Sequence, residues 1–257
     1  MEAWLGWDVG AWHCQGGPSR DALVLLAAEV GEAPRLVGRP WRGNLRATLN
    51  GPRGPGLLAA LLGLVGATGL RPSALTLGVD TPLGWPDAFR ALLDGALPDH
   101  IPSTKAENSL VMRETERYLC ARGLRPLSPV QDLIGSQSTK GLVLLGSLGL
   151  APRRPGWWTG GLGGVALAAF EAYPTPCRRS AAVEALVGPL RSGLGPDPHD
   201  DVLDALLCAG LAALCARSPD AVVGPPHGAS VTEGWIWVPA DALSAEGPRP
   251  DAASAGD

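Results

Sequence analysis

PHDDVLDALLCAGLAALCA, residues 198–216, is the stretch on which the fold turns. After Asp204 the run from Ala205 to Ala216 has no charged side chain, so Asp204 marks where a polar site meets a buried helix. An ionised carboxylate at such a boundary needs a compensating partner, and a metal ion is one. With 3.6 residues per turn, Asp200 and Asp201 project beside Asp204 from the preceding turn. The plainer alternative is capping. Acids in a first turn suit the helix dipole, and Asp197 before Pro198 reads as an N-cap with proline at the first position. Capping accounts for Asp200 and in part for Asp201, but less well for Asp204, which lies deeper in the helix.

Two further acids end strand-like apolar runs: Asp8 in AWLGWDVG and Asp80 in ALTLGVDTPLGWP. Each run stops at an Asp followed closely by glycine or proline, the pattern of a buried strand meeting a loop. In a parallel α/β sheet the carboxyl ends of strands share one edge, and ligands bind in the crevice there, so Asp8 and Asp80 are expected to meet. Taken singly, each is equally readable as a turn residue that hydrogen-bonds its own backbone. Glu171 in GGVALAAFEAYPTP is a third candidate, although VALAAF also fits a helix.

The 257 residues, 46% hydrophobic, suffice for one sizeable core, and no internal repeat argues for two. The expectation is a single domain over 1–239 and a disordered tail over 240–257, where Ala, Gly, Ser, Asp and Pro dominate. A net charge of −4 gives no strongly basic field for non-specific DNA binding. The five cysteines are scattered without a C-x-x-C pair, which indicates neither a disulfide framework nor a zinc site and suits a reduced, cytoplasmic setting. No signal core or spanning apolar run is present, so no membrane association is expected.

Along the chain, Trp4–Val9, Ala22–Val30 and Arg35–Trp41 read as three strands in an antiparallel meander. A helix over Gly54–Leu70 and a strand over Ala74–Asp80 follow, favouring a right-handed crossover to a parallel partner. Residues 85–163 read as a helical insertion, with helical patches at Asp87–Leu93, Met112–Arg122 and Lys140–Leu148. A fifth strand at Val165–Tyr173, a helix at Ala181–Leu190, the acidic helix at Pro198–Arg217 and a short strand in GWIWVP complete the order. The fold class is therefore α/β, a mixed five-stranded sheet flanked by helices.

This order, with acids on the first strand, the fourth strand and the closing helix, resembles the ribonuclease-H-like fold. Asp200, Asp201, Leu203, Asp204, Ala205 and Leu206 are similar to the closing-helix acids of bacterial Holliday-junction resolvases. Together VDTPLG from Val79, EAYP from Glu171, HDDVLDALLCA from His199 and EGWIWVP from Glu233 resemble the family called domain of unknown function 429, predicted nucleases of this fold. RETERYLCARGLRP, from Arg113, resembles an arginine- and acid-bearing stretch of that family. The resemblance implies phosphodiester hydrolysis of DNA or RNA with Mg²⁺ or Mn²⁺. Two such hard cations, about 4 Å apart, prefer carboxylate oxygens. Asp8, Asp80, Asp201 and Asp204 would be the metal ligands, with Glu171 a further ligand or water-orienting base. His199 reads either as a helper of product release or as a solvated cap.

Arg153, Arg154, Trp157 and Trp158 in RRPGWWTGGLGG are the best local case for base stacking plus phosphate contact, against the simpler role of anchoring the insertion. Trp235 and Trp237 fit a packed strand face. Arg35, Arg39, Arg42 and Arg46 read as a basic stripe or as a charged edge strand. Two rivals remain at this stage: a non-catalytic binding or scaffolding protein on the same fold, and an actin-like phosphotransferase, which needs more chain than is present.

Overall fold

The computed structural model describes residues 1–14 and 16–243. Its strands are β1 (Glu2–Asp8), β2 (Asp21–Ala28), β3 (Arg35–Leu36), β4 (Trp41–Gly43), β5 (Ala74–Asp80), β6 (Ala151–Arg154), β7 (Trp157–Leu162), β8 (Val165–Ala172), β9 (Val222–Val223) and β10 (Ile236–Pro239). Its helices are α1 (Arg46–Leu49), α2 (Pro55–Leu64), α3 (Asp87–Leu93), α4 (Glu114–Cys120), α5 (Gly135–Ser147), α6 (Pro174–Cys177), α7 (Ala181–Val187) and α8 (Asp200–Arg217). The main sheet runs β3-β2-β1-β5-β8-β10-β9. β1 is antiparallel to β2 and parallel to β5, and β5 is parallel to β8, so the expected meander and the parallel pairing after α2 are both present.

Alternation along the strands sorts side chains onto two faces. Leu5, Trp7, Leu75, Leu77 and Leu167 pack with α2 and α5 on one face. Trp4, Val24 and Phe170 pack with α7 and α8 on the other. Gly6 and Gly78, register partners on β1 and β5, occupy the α8 face. A Cβ on Gly6 would stand 1.8 Å from the Ala205 carbonyl oxygen, and one on Gly78 would stand 2.4 Å from that of Cys208. The helix therefore lies directly on strand backbone, an approach that only glycine permits. Two residues further along each strand, on this same face, come Asp8 and Asp80.

Three expectations are corrected. The third strand is two short ones, β3 and β4, each antiparallel to β2. The break falls at Gly38, whose φ of 70° puts its α-carbon against the Val65 carbonyl, and at Pro40, which lacks an amide donor. The sheet also exceeds five strands, because β10 and β9 continue it beyond β8. Finally, the insertion is helical only as far as α5. Residues 151–162 form a β6–β7 hairpin, and β7 pairs antiparallel with the first part of β8 through a two-residue turn at Gly163 and Gly164. Both glycines have positive φ, 59° and 86°, as a tight hairpin turn requires. The chain is ordered through a short 3₁₀ turn at Ala240–Ala242, where a disordered tail was expected to begin; positions 244–257 lie outside the described residues.

Candidate active site

β1 and β5 end together, with Asp8 directly opposite Asp80. Adjacent strands lie about 4.8 Å apart, so in-register carboxylates on one face are neighbours. Asp204, on the second turn of α8, opens into the same cavity of about 410 Å³, as does Glu171 at the end of β8. Asp8 is pushed up to about 9, by burial first and then by the charges of Asp80, Asp201, Asp204 and Asp21. Asp80 is pushed up to about 8 by burial and by Asp204 and Glu171, with Arg178 opposing. Neither forms an ion pair among the described residues. Each therefore favours its neutral form until a positive charge arrives.

The other three acids are already matched by guanidinium groups. Asp201 is buried behind the cavity and does not line it. It accepts Arg42 Nε at 2.7 Å and the Arg20 amide at 2.9 Å. Asp204 accepts Arg178 at 2.6 Å, and burial raises its pKa although that arginine works to lower it. Glu171 falls on the opposite strand face from Asp8 and Asp80, the face of Leu167 and Ala169, and points to the insertion. There it takes both terminal nitrogens of Arg113 at 2.7 Å and the Leu83 amide at 3.0 Å. His199 is the N-cap of α8, its Nδ1 accepting the Asp201 amide at 3.2 Å, so the cap alternative describes it.

The expected ligand set of Asp8, Asp80, Asp201 and Asp204 is thus brought to one sheet edge but not assembled. Among the described residues, no three His, Cys, Asp or Glu side chains are arranged to hold a metal ion. Two of the four acids are instead ion-paired, Asp201 with Arg42 and Asp204 with Arg178. The donor chemistry nonetheless suits a hard divalent cation, since Asp8 and Asp80 are adjacent carboxylates without counter-charge and Asp204 shares their cavity.

Arg153, Arg154, Trp157 and Trp158 do not line this cavity. Trp157 stacks on Phe170, ring centroids 5.3 Å apart and planes 2° from parallel, and meets Trp237 edge-on. Arg154 covers Trp157 at 5.0 Å, and Trp158 packs on the other sheet face. The tryptophans pack the hairpin onto the core, the anchoring role that was the simpler alternative. Arg42, read from the sequence as part of a basic stripe or a charged edge strand, donates to Asp201.

Sequence reasoning missed two closed charge networks. Arg113, fully buried, also binds Glu116 Oε1 at 2.8 Å and the Glu233 carbonyl at 3.1 Å, while the Glu233 carboxylate caps the Asp87 and Glu114 amides. Four segments that carried the family resemblance thereby meet as a staple between insertion and sheet. Asp21 and Lys140 form the second network. Both are fully buried and 2.5 Å apart, and Asp21 also accepts the Leu45 and Gly10 amides and Trp7 Nε1. Lys140 donates to the Gly10 and Ala11 carbonyls, fixing the loop that leaves Asp8. One available signal was that Lys140 is one of only two lysines yet lies in a helix rich in leucine and glycine.

The site thus defines a class, a mixed α/β domain with an acidic cavity at the carboxyl ends of its parallel strands. Comparison with known proteins adds little. No family model matches the sequence, so the resemblance to the domain-of-unknown-function family has no family match behind it, and no curated protein matches either. Among solved structures, T. thermophilus RuvC in complex with Holliday junction substrate aligns over 84% of this chain and 95% of that one, at 14% identity and a TM-score of 0.36. Agreement that loose carries no argument about activity. Among the described residues, no helix is long and apolar enough to cross a membrane.

Proposed function

We propose that the chain is a ribonuclease-H-like, divalent-cation-dependent hydrolase of phosphodiester bonds in nucleic acid. The observation that carries this reading is the pair Asp8 and Asp80: in register, facing one cavity, raised to about 9 and 8, and without a cation partner among the described residues. Carboxylates whose pKa values are raised by burial and by each other, facing a cavity, are a recurrent mark of functional sites. Asp8 and Asp80 would hold Mg²⁺ or Mn²⁺, and Asp204 would join them on leaving Arg178. The bound cation would supply activation of water and charge neutralisation at the leaving oxygen. Arg113 holds Glu171 in place, so Glu171 acts as a positioning residue for the cavity wall. Lys140 and Asp21 fix the Gly10–Ala11 backbone beside Asp8. Arg178, released from Asp204, would be available to a substrate phosphate.

A second reading is favoured by one observation, the arginines already seated on Asp201, Asp204 and Glu171. On it, the fold binds nucleic acid or a partner without catalysis. A panel of single-stranded, duplex and branched DNA and RNA, incubated with Mn²⁺ or Mg²⁺, separates the two. Hydrolysis is expected from wild type, suppressed by chelator and abolished in Asp8→Asn and Asp80→Asn. Equal cleavage by wild type and both variants would reveal a contaminant. No cleavage, with a melting temperature indifferent to millimolar Mn²⁺, would leave the non-catalytic reading.

A further inference from the structure

Beside the acidic cavity lies a larger one of about 680 Å³, bounded by α4 and the loop 121–134, and the two share a wall at Arg125, Pro126 and Leu127. Their linings differ in kind. The floor of the second includes Met112 and Leu124, both buried, and its wall includes Cys120, half-buried and not disulfide-bonded. Its charged lining is Lys105 and Asp132, paired at 3.2 Å, together with Arg125 on the shared wall. Neither of the two closed charge networks extends into it. The volume falls in the range of small-molecule sites, and an apolar floor with a few polar rim groups is their usual make-up.

The rim carries an independent oddity. Leu133 has φ of 58°, the one positive value at a non-glycine position among the described residues, yet its side chain is 86% exposed. A leucine in that region is strained by about 1 kcal/mol or more, and here no burial offsets it. Its neighbours Asp132 and Ile134 line the second and first cavities respectively, so Leu133 stands between the two mouths. Leu127, on the shared wall, is 55% exposed.

We propose that the second cavity is a nucleobase subsite, taking one unstacked base of a strand whose neighbouring phosphodiester lies at Asp8 and Asp80, with Leu127 and Leu133 as apolar contacts at its edge. The proposal rests on the nuclease reading and specifies its substrate as nucleic acid engaged through a base as well as its backbone. A base has flat apolar faces for Met112, Leu124 and Leu127, and a polar edge for Lys105 and Asp132. Apolar side chains beside a base pocket are a recurrent means of holding a base out of its stack.

Fluorescence anisotropy, in chelator to prevent cleavage, tests it with a labelled single strand and the same strand made abasic. Wild type is expected to bind the base-bearing strand about tenfold more tightly, the scale set by burying one base face. Cys120→Phe, which projects a ring from the wall into the space a base would occupy, should narrow the difference between the two affinities. Leu133→Gly, which relieves the strained backbone, should reduce the preference while the melting temperature holds or rises; a purely structural leucine would lower it instead. The base-bearing strand should also slow alkylation of Cys120 in wild type, and this alone decides if Cys120→Phe fails to fold. An unchanged preference in a folded Cys120→Phe, or alkylation indifferent to the strand, overturns the subsite and leaves the nuclease reading standing. Wild type that binds neither strand overturns the subsite, while the cleavage panel with Mn²⁺ or Mg²⁺ decides the nuclease reading separately.

Discussion

Two groups of carboxylates in this molecule, one around buried cations and one at the strand ends, are treated in opposite ways. Around Arg113 and Lys140 the buried acids Glu171, Glu116 and Asp21 each have a counter-charge and at least one amide donor, Glu171 and Glu116 on the guanidinium and Asp21 on the ammonium, while Glu233 is held by two amides. At the ends of β1 and β5, Asp8 and Asp80 have no ion pair among the described residues, and only the charge of Arg178, itself paired with Asp204, opposes the rise at Asp80. Burial raises Glu116 and Asp21 as well, but their cations pull the other way, whereas nothing offsets Asp8. The contrast separates acids that build the fold from acids kept for a charge still to arrive.

The sharpest way to break this distinction is to remove a counter-charge. Arg113→Met should cost about 3–5 kcal/mol, because Glu116 and Glu171 are left buried without a partner, and Lys140→Met should cost a similar amount through Asp21. Denaturant midpoints at pH 7 measure both. Lys140→Met with Asp21→Leu should recover much of the single loss, and failure to do so would mean the pair is not acting as a closed unit.

Next in size is the pH response of the open pair. Because the folded pKa values of Asp8 and Asp80 exceed the unfolded value, the unfolded state releases protons first as pH rises. Cation-free stability should therefore fall from near pH 4 until pH passes about 8 and then about 9. Asp8→Asn should flatten that decline and be more stable than wild type at pH 9. A decline of equal slope in the variant would remove Asp8 from the account. A smaller, linked effect is expected in titration calorimetry: Mn²⁺ should bind more tightly at pH 8 than at pH 6, with proton release, because ligands must lose their protons first. Binding independent of pH would count against Asp8 and Asp80 as ligands.

The smallest effect is at Arg178. Its half-exposed pair with Asp204 should contribute no more than about 1 kcal/mol to folding. Arg178→Gln should nevertheless tighten Mn²⁺ binding a few-fold by releasing Asp204. Unaltered affinity would mean that Asp204 takes no part.

Much of this architecture was legible locally. Ala74–Asp80 was read to the residue, since an apolar run closed by Asp-Thr-Pro has few alternatives, and the meeting of Asp8 and Asp80 followed from strand ends sharing an edge, with Asp204 lining the same cavity from α8. What was hidden lies in long-range partners. Arg42 meets Asp201 across 159 positions and Arg113 meets Glu171 across 58, and no periodicity announces such pairs. The face of Glu171 was also hidden, because an acid at a strand end reads the same from sequence whichever way it points. The hairpin at 151–162 escaped because its glycines and exposed arginines look like loop.

The contact between α8 and the glycines of β1 and β5 bears on how this sequence can change over time. Asp204 belongs to the helix and Asp8 and Asp80 to the strands, so the spacing among them is inherited from how deeply the helix is seated. Positions 6 and 78 set that depth. A methyl group at either would lift the helix while touching no acid, so drift there is closed to every residue except glycine for as long as the three aspartates must share one cavity.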